Sequence, residues 1–144
     1  MNTSVSVDMI IEKHGKILLV TRGHEPFKGK LAFPGGFVNY GEKVEDAAVR
    51  EAKEETDLSI SLKAILGVYS ESNRDPRGHT ITTVFVANVV SGEVKAGDDA
   101  AEAKFYSLAD LDIGQLSFDH SRILKDYLKW KRKGETYWSG KLTF

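Results

Sequence analysis

Residues 44–56 hold neither glycine nor proline and are rich in Ala, Glu and Lys, a composition that favours a helix. The apolar positions Val44, Ala47, Ala48 and Ala52 have helical spacing, yet all four are small. So shallow an apolar stripe is buried only by lying close against a flat surface, which predicts a sheet beneath the helix. The flanking sequence supplies one. Residues 5–12 alternate with β-branched side chains, and His14-Gly15 marks a turn. Residues 16–22 carry the short run Ile17-Leu18-Leu19-Val20, and 31–38 read as a short strand broken by Gly35-Gly36. Residues 58–70 and 80–90 are longer strand patterns, and 103–107 a shorter one followed by a helical turn at 108–111. Residues 121–133 predict a second helix with Ile123, Leu124, Tyr127, Leu128 and Trp130 apolar. Loops are expected at 23–30 and 71–79, and the aromatic tail (Tyr137, Trp138, Phe144) offers surface for docking on the domain or on a second subunit. Strands, helix, strands, helix reads as an α+β or layered sandwich and not a regular βαβ alternation.

At 144 residues, one domain spanning 1–144 is expected. A domain of that size buries roughly 68–70% of the surface of its unfolded chain, so no covalent staple is required. Cysteine is absent, which excludes disulfides, thiol catalysis and thiolate metal sites. Lys+Arg is 20 against 21 Asp+Glu, so a whole-protein electrostatic footprint for nucleic acid or anionic membrane is missing. Neither partner is expected. No apolar run approaches the roughly 18 residues of a membrane span, and residues 1–8 lack the features of a secretory signal. A cytoplasmic protein is the expectation.

The first helix is also acidic. Glu51, Glu54 and Glu55 stand at i, i+3 and i+4, within an arc of about 100°. Such carboxylates repel one another, and they lie near the helix C-terminus, where the macrodipole disfavours anions. Hard divalent cations resolve that repulsion; Mg²⁺ in particular bridges protein carboxylates to substrate phosphates. A solvated acidic face is the alternative that spacing alone leaves open.

Gly36, Glu42, Arg50-Glu51, the small apolar Ala52, Glu54-Glu55 and Leu58 together resemble the signature of the Nudix hydrolases. Two positions depart from it: Ala52 stands where a larger aliphatic is typical, and Asp57 where glycine is typical. Asp tolerates a left-handed helix end better than most residues. The resemblance implies an α/β/α sandwich with a mixed sheet and a loop-helix-loop catalytic unit over residues 36–58. It implies Glu51, Glu54 and Glu55 as metal ligands, joined by the carbonyl of Gly35, with Mg²⁺ (or Mn²⁺) as the ion. Glu42 and Arg50 would be a supporting pair that orients the helix. The family cleaves a nucleoside diphosphate linked to another group by attack of water on phosphorus.

Outside that signature lie Asn73-Arg74-Asp75-Pro76-Arg77-Gly78-His79, Asp98-Asp99-Ala100-Ala101-Glu102 and Ser117-Phe118-Asp119-His120. With them the chain is similar to archaeal and bacterial ADP-ribose pyrophosphatases of the family, over most of its length. That resemblance implies ADP-ribose as substrate, with AMP and ribose 5-phosphate as products, and is compatible with a homodimer. Arg74 and Arg77 suit phosphate or ribose contacts, because guanidinium makes paired hydrogen bonds; a salt-bridged hairpin loop is the alternative. Glu102 would be a further metal ligand or general base, or a plain loop carboxylate. His120 would contact base or diphosphate, and Phe33 and Phe118 would stack on adenine, although core packing is the commoner fate of Phe. Asp119 reads equally as a helix N-cap. His14 and His24 receive no role. Hydrolysis of other nucleoside diphosphate sugars or of oxidised nucleoside triphosphates stays open, as does a non-catalytic ADP-ribose sensor, although such sensors carry a DNA-binding domain for which 144 residues leave no room.

Overall fold

A computed structural model describes residues 2–97 and 100–142. Eight strands and two α-helices follow in order: β1 (Ser4–Lys13), β2 (Lys16–Arg22), β3 (Leu31–Ala32), β4 (Gly35–Phe37), α1 (Val44–Thr56), β5 (Ser59–Tyr69), β6 (Thr80–Ser91), β7 (Ala100–Ser107), α2 (His120–Lys133) and β8 (Tyr137–Trp138). Two single 3₁₀ turns, Leu108–Asp110 and Ile113–Gln115, link β7 to α2. Asp98, Asp99 and Phe144 lie outside the described residues. The sheet runs β3-β2-β1-β6-β5-β8, with β4 also on β1 and β7 also on β2. It is mixed: β1 pairs parallel with β6 and antiparallel with β2 and β4. None of the helices of the described residues is long and apolar enough to cross a membrane.

Strand alternation divides the core between the two faces of this sheet. Val7, Met9 and Ile11 of β1, with Leu18, Phe85 and Ala87, pack with Ala47, Ala48 and Ala52 of α1. The intervening Ile10, with Leu19, Val84 and Val86, packs with Ile123, Leu124 and Tyr127 of α2. Each helix therefore covers one face, as the sandwich reading expects. The three alanines of α1 are fully buried, so its small stripe does bring the helix backbone close to the sheet. α1 has the bounds expected of it. It ends at Asp57, whose φ of 62° and ψ of 17° are left-handed and whose N–H donates to the Lys53 carbonyl.

Three local expectations change. The strand expected over 103–107 begins at Ala100, because its backbone follows β2 as far as Arg22. The strand broken by glycines becomes two separate short strands, β3 and β4. Asp119 holds the N-cap position of α2, but its side chain caps nothing; it receives Arg74 instead. In the tail, Tyr137 is buried on the domain, while Trp138 is half exposed beside Val68 of β5.

Candidate active site

A cavity of about 490 Å³ opens where the last turns of α1, the β3–β4 segment, the loop before β6 and the start of α2 meet. The glycine pair sets its geometry. A Cβ at Gly36 would fall 2.3 Å from the Glu51 carboxyl carbon, and one at Gly35 would fall 2.1 Å from Asp8 Oδ1. Only glycine lets both carboxylates lie on the backbone there. Glu55 Oε2 accepts the Gly35 N–H at 2.9 Å, fixing the loop to the helix.

Arg50 gathers the acidic groups. It donates to Glu42 through Nε (2.8 Å) and Nη2 (2.9 Å), to Glu51 (2.7 Å) and Glu54 (3.1 Å) through Nη1, and to the Phe37 carbonyl (3.0 Å). Hydrogen bonds from Arg50 and from the Asn39 N–H hold the Glu42 carboxyl down to about 2, and the same pairing raises Arg50 above its usual value. Glu42 and Arg50 are thus joined in a two-point ion pair.

Glu51, Glu54 and Glu55 all line the cavity. Three carboxylates beside an open backbone turn are the donor chemistry of a hard divalent cation. Arg50 holds two of them and Gly35 the third, so among the described residues no three such groups converge at ligand distance as they stand. A cation would take over the neutralising role that Arg50 now has toward Glu51 and Glu54.

The remaining expected residues divide. Arg77 lines the cavity, bound to Asp75 through Nε (3.1 Å) and Nη2 (2.8 Å), with its guanidinium 5.5 Å from the Phe37 ring and 5.7 Å from the Phe118 ring. Arg74 also borders the cavity but is buried, donating to Asp119 at 2.9 and 2.7 Å and to Thr82 at 2.5 Å. Its donors are largely taken by protein, so Arg74 is a staple between the loop and α2 and not the open phosphate contact that was expected. Phe118 faces the cavity; Phe33 is only 3% exposed and belongs to the α2-side core, so it shows the cavity at most an edge.

Two expectations are corrected. Glu102 does not line the cavity: β7 pairs it with Thr21, on the face away from Val20, which does line it, and Glu102 ion-pairs with Lys104. His120 is 3% exposed, with both ring nitrogens engaged. Nδ1 accepts the Phe33 N–H at 3.1 Å, and Nε2 lies 3.2 Å from Asp8 Oδ2. It cannot offer a free nitrogen to a base or diphosphate.

Several cavity residues escaped the sequence reading, among them Asp8, Arg22, Phe37 and His24, to which no role was given. Arg22 donates to the Pro26 carbonyl, and its guanidinium stands 4.9 Å from the Phe118 ring. Burial and the nearby Arg77 cation both lower its pKa, while Glu55, Asp75 and Asp8 oppose that. Arg22 and Arg77 thus bring two repelling cations to one aromatic ring, an arrangement that an anion would relieve. A usable signal existed for Asp8, a charged residue inside the apolar strand run from Val7 to Ile11.

The NUDIX domain model matches residues 2–127. The chain belongs to the Nudix family. Over 131 residues it is 56% identical to an ADP-ribose pyrophosphatase of Methanocaldococcus jannaschii, covering 91% of this chain and 76% of that protein. A crystal structure of a NUDIX hydrolase from Nitrosomonas europaea superimposes with a TM-score of 0.85 at 24% identity, covering 96% of this chain and 78% of the other, a likeness of fold. A bifunctional NMN adenylyltransferase/ADP ribose pyrophosphatase of Francisella tularensis, complexed with AMP and a Mn ion, is 31% identical with a TM-score of 0.76. It covers 89% of this chain, which spans 42% of that protein.

Proposed function

We propose that the chain hydrolyses ADP-ribose to AMP and ribose 5-phosphate with Mg²⁺, which Mn²⁺ can replace. One observation carries the reading: a single cleft joins Glu51, Glu54 and Glu55 to the Arg22–Phe118–Arg77 wall. Carboxylates for a cation, guanidinium groups for phosphate oxygens and flat rings for a base are what a nucleoside diphosphate requires. The identity to the M. jannaschii pyrophosphatase supports ADP-ribose among such substrates.

Glu51, Glu54, Glu55 and the Gly35 carbonyl would hold the metal, which when bound neutralises diphosphate charge and activates water. Arg50, anchored on Glu42 and the Phe37 carbonyl, sets the helix against the glycine loop. Arg77, held by Asp75, places its charge toward the diphosphate or distal phosphate, and Arg22 supplies a second cation. Phe118 and Phe37 offer faces to the base. A cytoplasmic location, where nucleotide substrates are made, and a homodimer that uses the exposed Trp138 belong to the same reading.

The test is a panel of ADP-ribose, GDP-mannose, UDP-glucose, NADH and 8-oxo-dGTP with Mg²⁺ and resolved products. ADP-ribose should give the highest kcat/KM and release AMP. Preferential release of pyrophosphate from the triphosphate would replace this reading with nucleotide-pool cleansing.

A further inference from the structure

Asp8 is a cleft carboxylate outside the glutamate cluster of α1, and it is not paired with an arginine as Asp75 is. It sits on β1 directly opposite Gly35 of β4, and its Oδ1 fills the space a side chain at Gly35 would need. Ser6 and Thr82 lie beside it on the cleft wall, bonded to each other at 2.7 Å. Oδ2 of Asp8 lies 3.2 Å from Nε2 of His120. The tautomer of that histidine is set by the backbone. The Phe33 N–H can only donate, so Nδ1 carries the lone pair and Nε2 carries the proton, aimed at Asp8 Oδ2. His120 is itself clamped between the Phe33 ring (centroids 5.0 Å) and the Phe118 ring (5.5 Å), and Phe27 closes the row against Phe118 at 4.8 Å. Asp8 is thus a fixed, acceptor-only group at the end of an aromatic row, with a side chain 14% exposed to the cleft.

A carboxylate so placed binds a ligand's hydrogen-bond donor and repels an acceptor. We propose that Asp8 is a specificity-determining acceptor for a donor on the nucleoside half of the substrate, and that His120 is the positioning residue that aims it. This rests on the ADP-ribose reading above. The donor chemistry has two sources in that half, the exocyclic amine of adenine and the ribose hydroxyls. A site built to accept a substrate N–H or O–H discriminates strongly against analogues that lack it, and a bond to a charged acceptor corresponds to about tenfold or more in affinity.

The experiment compares ADP-ribose, its hypoxanthine analogue (amine replaced by carbonyl) and its 2′-deoxy analogue at the adenosine ribose. Wild-type turnover of ADP-ribose to AMP tests the functional reading separately and first. The wild-type enzyme should then penalise one of the two analogues by about tenfold or more in kcat/KM. A penalty on the hypoxanthine analogue identifies the amine, and one on the 2′-deoxy analogue identifies the hydroxyl. Asp8→Asn, which keeps the shape, should raise KM for ADP-ribose with little change in kcat and erase that penalty. Asn and Gln at position 120 separate the two bonds of the histidine. His120→Asn places an acceptor where Nδ1 was but no donor near Asp8, and should reproduce the Asp8→Asn profile. His120→Gln places a donor near Nε2 and should restore discrimination, even where its melting temperature is lower. Equal treatment of all three substrates by the wild type, or a penalty that survives Asp8→Asn, overturns the proposal. A loss in kcat alone for the Asp8 and His120 variants overturns it as well, since that would make the pair part of the scaffold.

Discussion

Glu54 and Glu55 differ in their surroundings, and the difference makes their substitution informative. Glu54 is 59% exposed and paired with Arg50, while Glu55 accepts the Gly35 N–H. Gln retains an acceptor for that N–H and removes the charge. Each Gln variant should lose at least about 100-fold in kcat, or more than roughly 2.7 kcal/mol of transition-state stabilisation, with its melting temperature nearly unchanged. Near-normal turnover in either would reduce that carboxylate to solvated surface. The two arginines of the 71–79 loop should part company. Arg77→Ala removes a cation from the cleft and should raise KM for ADP-ribose about tenfold with activation by Mg²⁺ unchanged. Arg74→Ala leaves Asp119 and Thr82 without their donor and should lower stability by about 1.5–3 kcal/mol, read as a shifted urea midpoint. If Arg74→Ala melts normally and only KM moves, the buried ion pair with Asp119 is not the main role of Arg74.

At the scale of elements, α1 was legible because everything that defines it is local. The absence of glycine and proline set its length, the spacing of Ala47, Ala48 and Ala52 set its buried face, and the i, i+3, i+4 period put the three glutamates together. Strands carry no such information about partners. Glu102 falls outside the cleft because the β2–β7 register opposes it to Thr21, and the pairing of Arg74 with Asp119 spans 45 positions of sequence. Asp8, Arg22 and Phe37 reach the cleft through strand pairing, beyond the range of periodicity. The end of α1 offers a test of its own. Asp57 adopts φ 62° and joins Lys53 in an exposed ion pair at 3.3 Å. Glycine at that position relieves the left-handed conformation, whereas an exposed pair contributes roughly 0.3–0.5 kcal/mol. Asp57→Gly should therefore raise stability by a few tenths to about 1 kcal/mol, measured by chemical denaturation. Destabilisation would mean that the Lys53–Asp57 contact outweighs the backbone strain.

Over the whole molecule, one sheet with a helix on each face leaves a cleft at one end, and the two helices deliver unlike groups to it. α1 contributes anions that repel unless neutralised, while α2 contributes through its first residue, His120, and through Phe118 just before it. The near-zero net charge of −1 hides this separation. Without a cation, Arg50 is shared among Glu42, Glu51 and Glu54, so the fold tolerates the cluster but does not saturate it. A metal that binds only the folded chain must then stabilise it by mass action. At a free concentration about 100 times Kd the gain is about 2.7 kcal/mol, which for a chain of this length raises Tm by roughly 5–10 °C. Calorimetry with and without Mg²⁺ should show that shift in the wild type, and excess EDTA should abolish both the shift and turnover. In Glu54→Gln the stability without metal should stay within about 0.5 kcal/mol of the wild type, since only an exposed pair is lost, while the rise in Tm with Mg²⁺ should shrink. An equal rise in both proteins would place the stabilising cation elsewhere and detach the acidic face of α1 from the metal, however well its spacing fits.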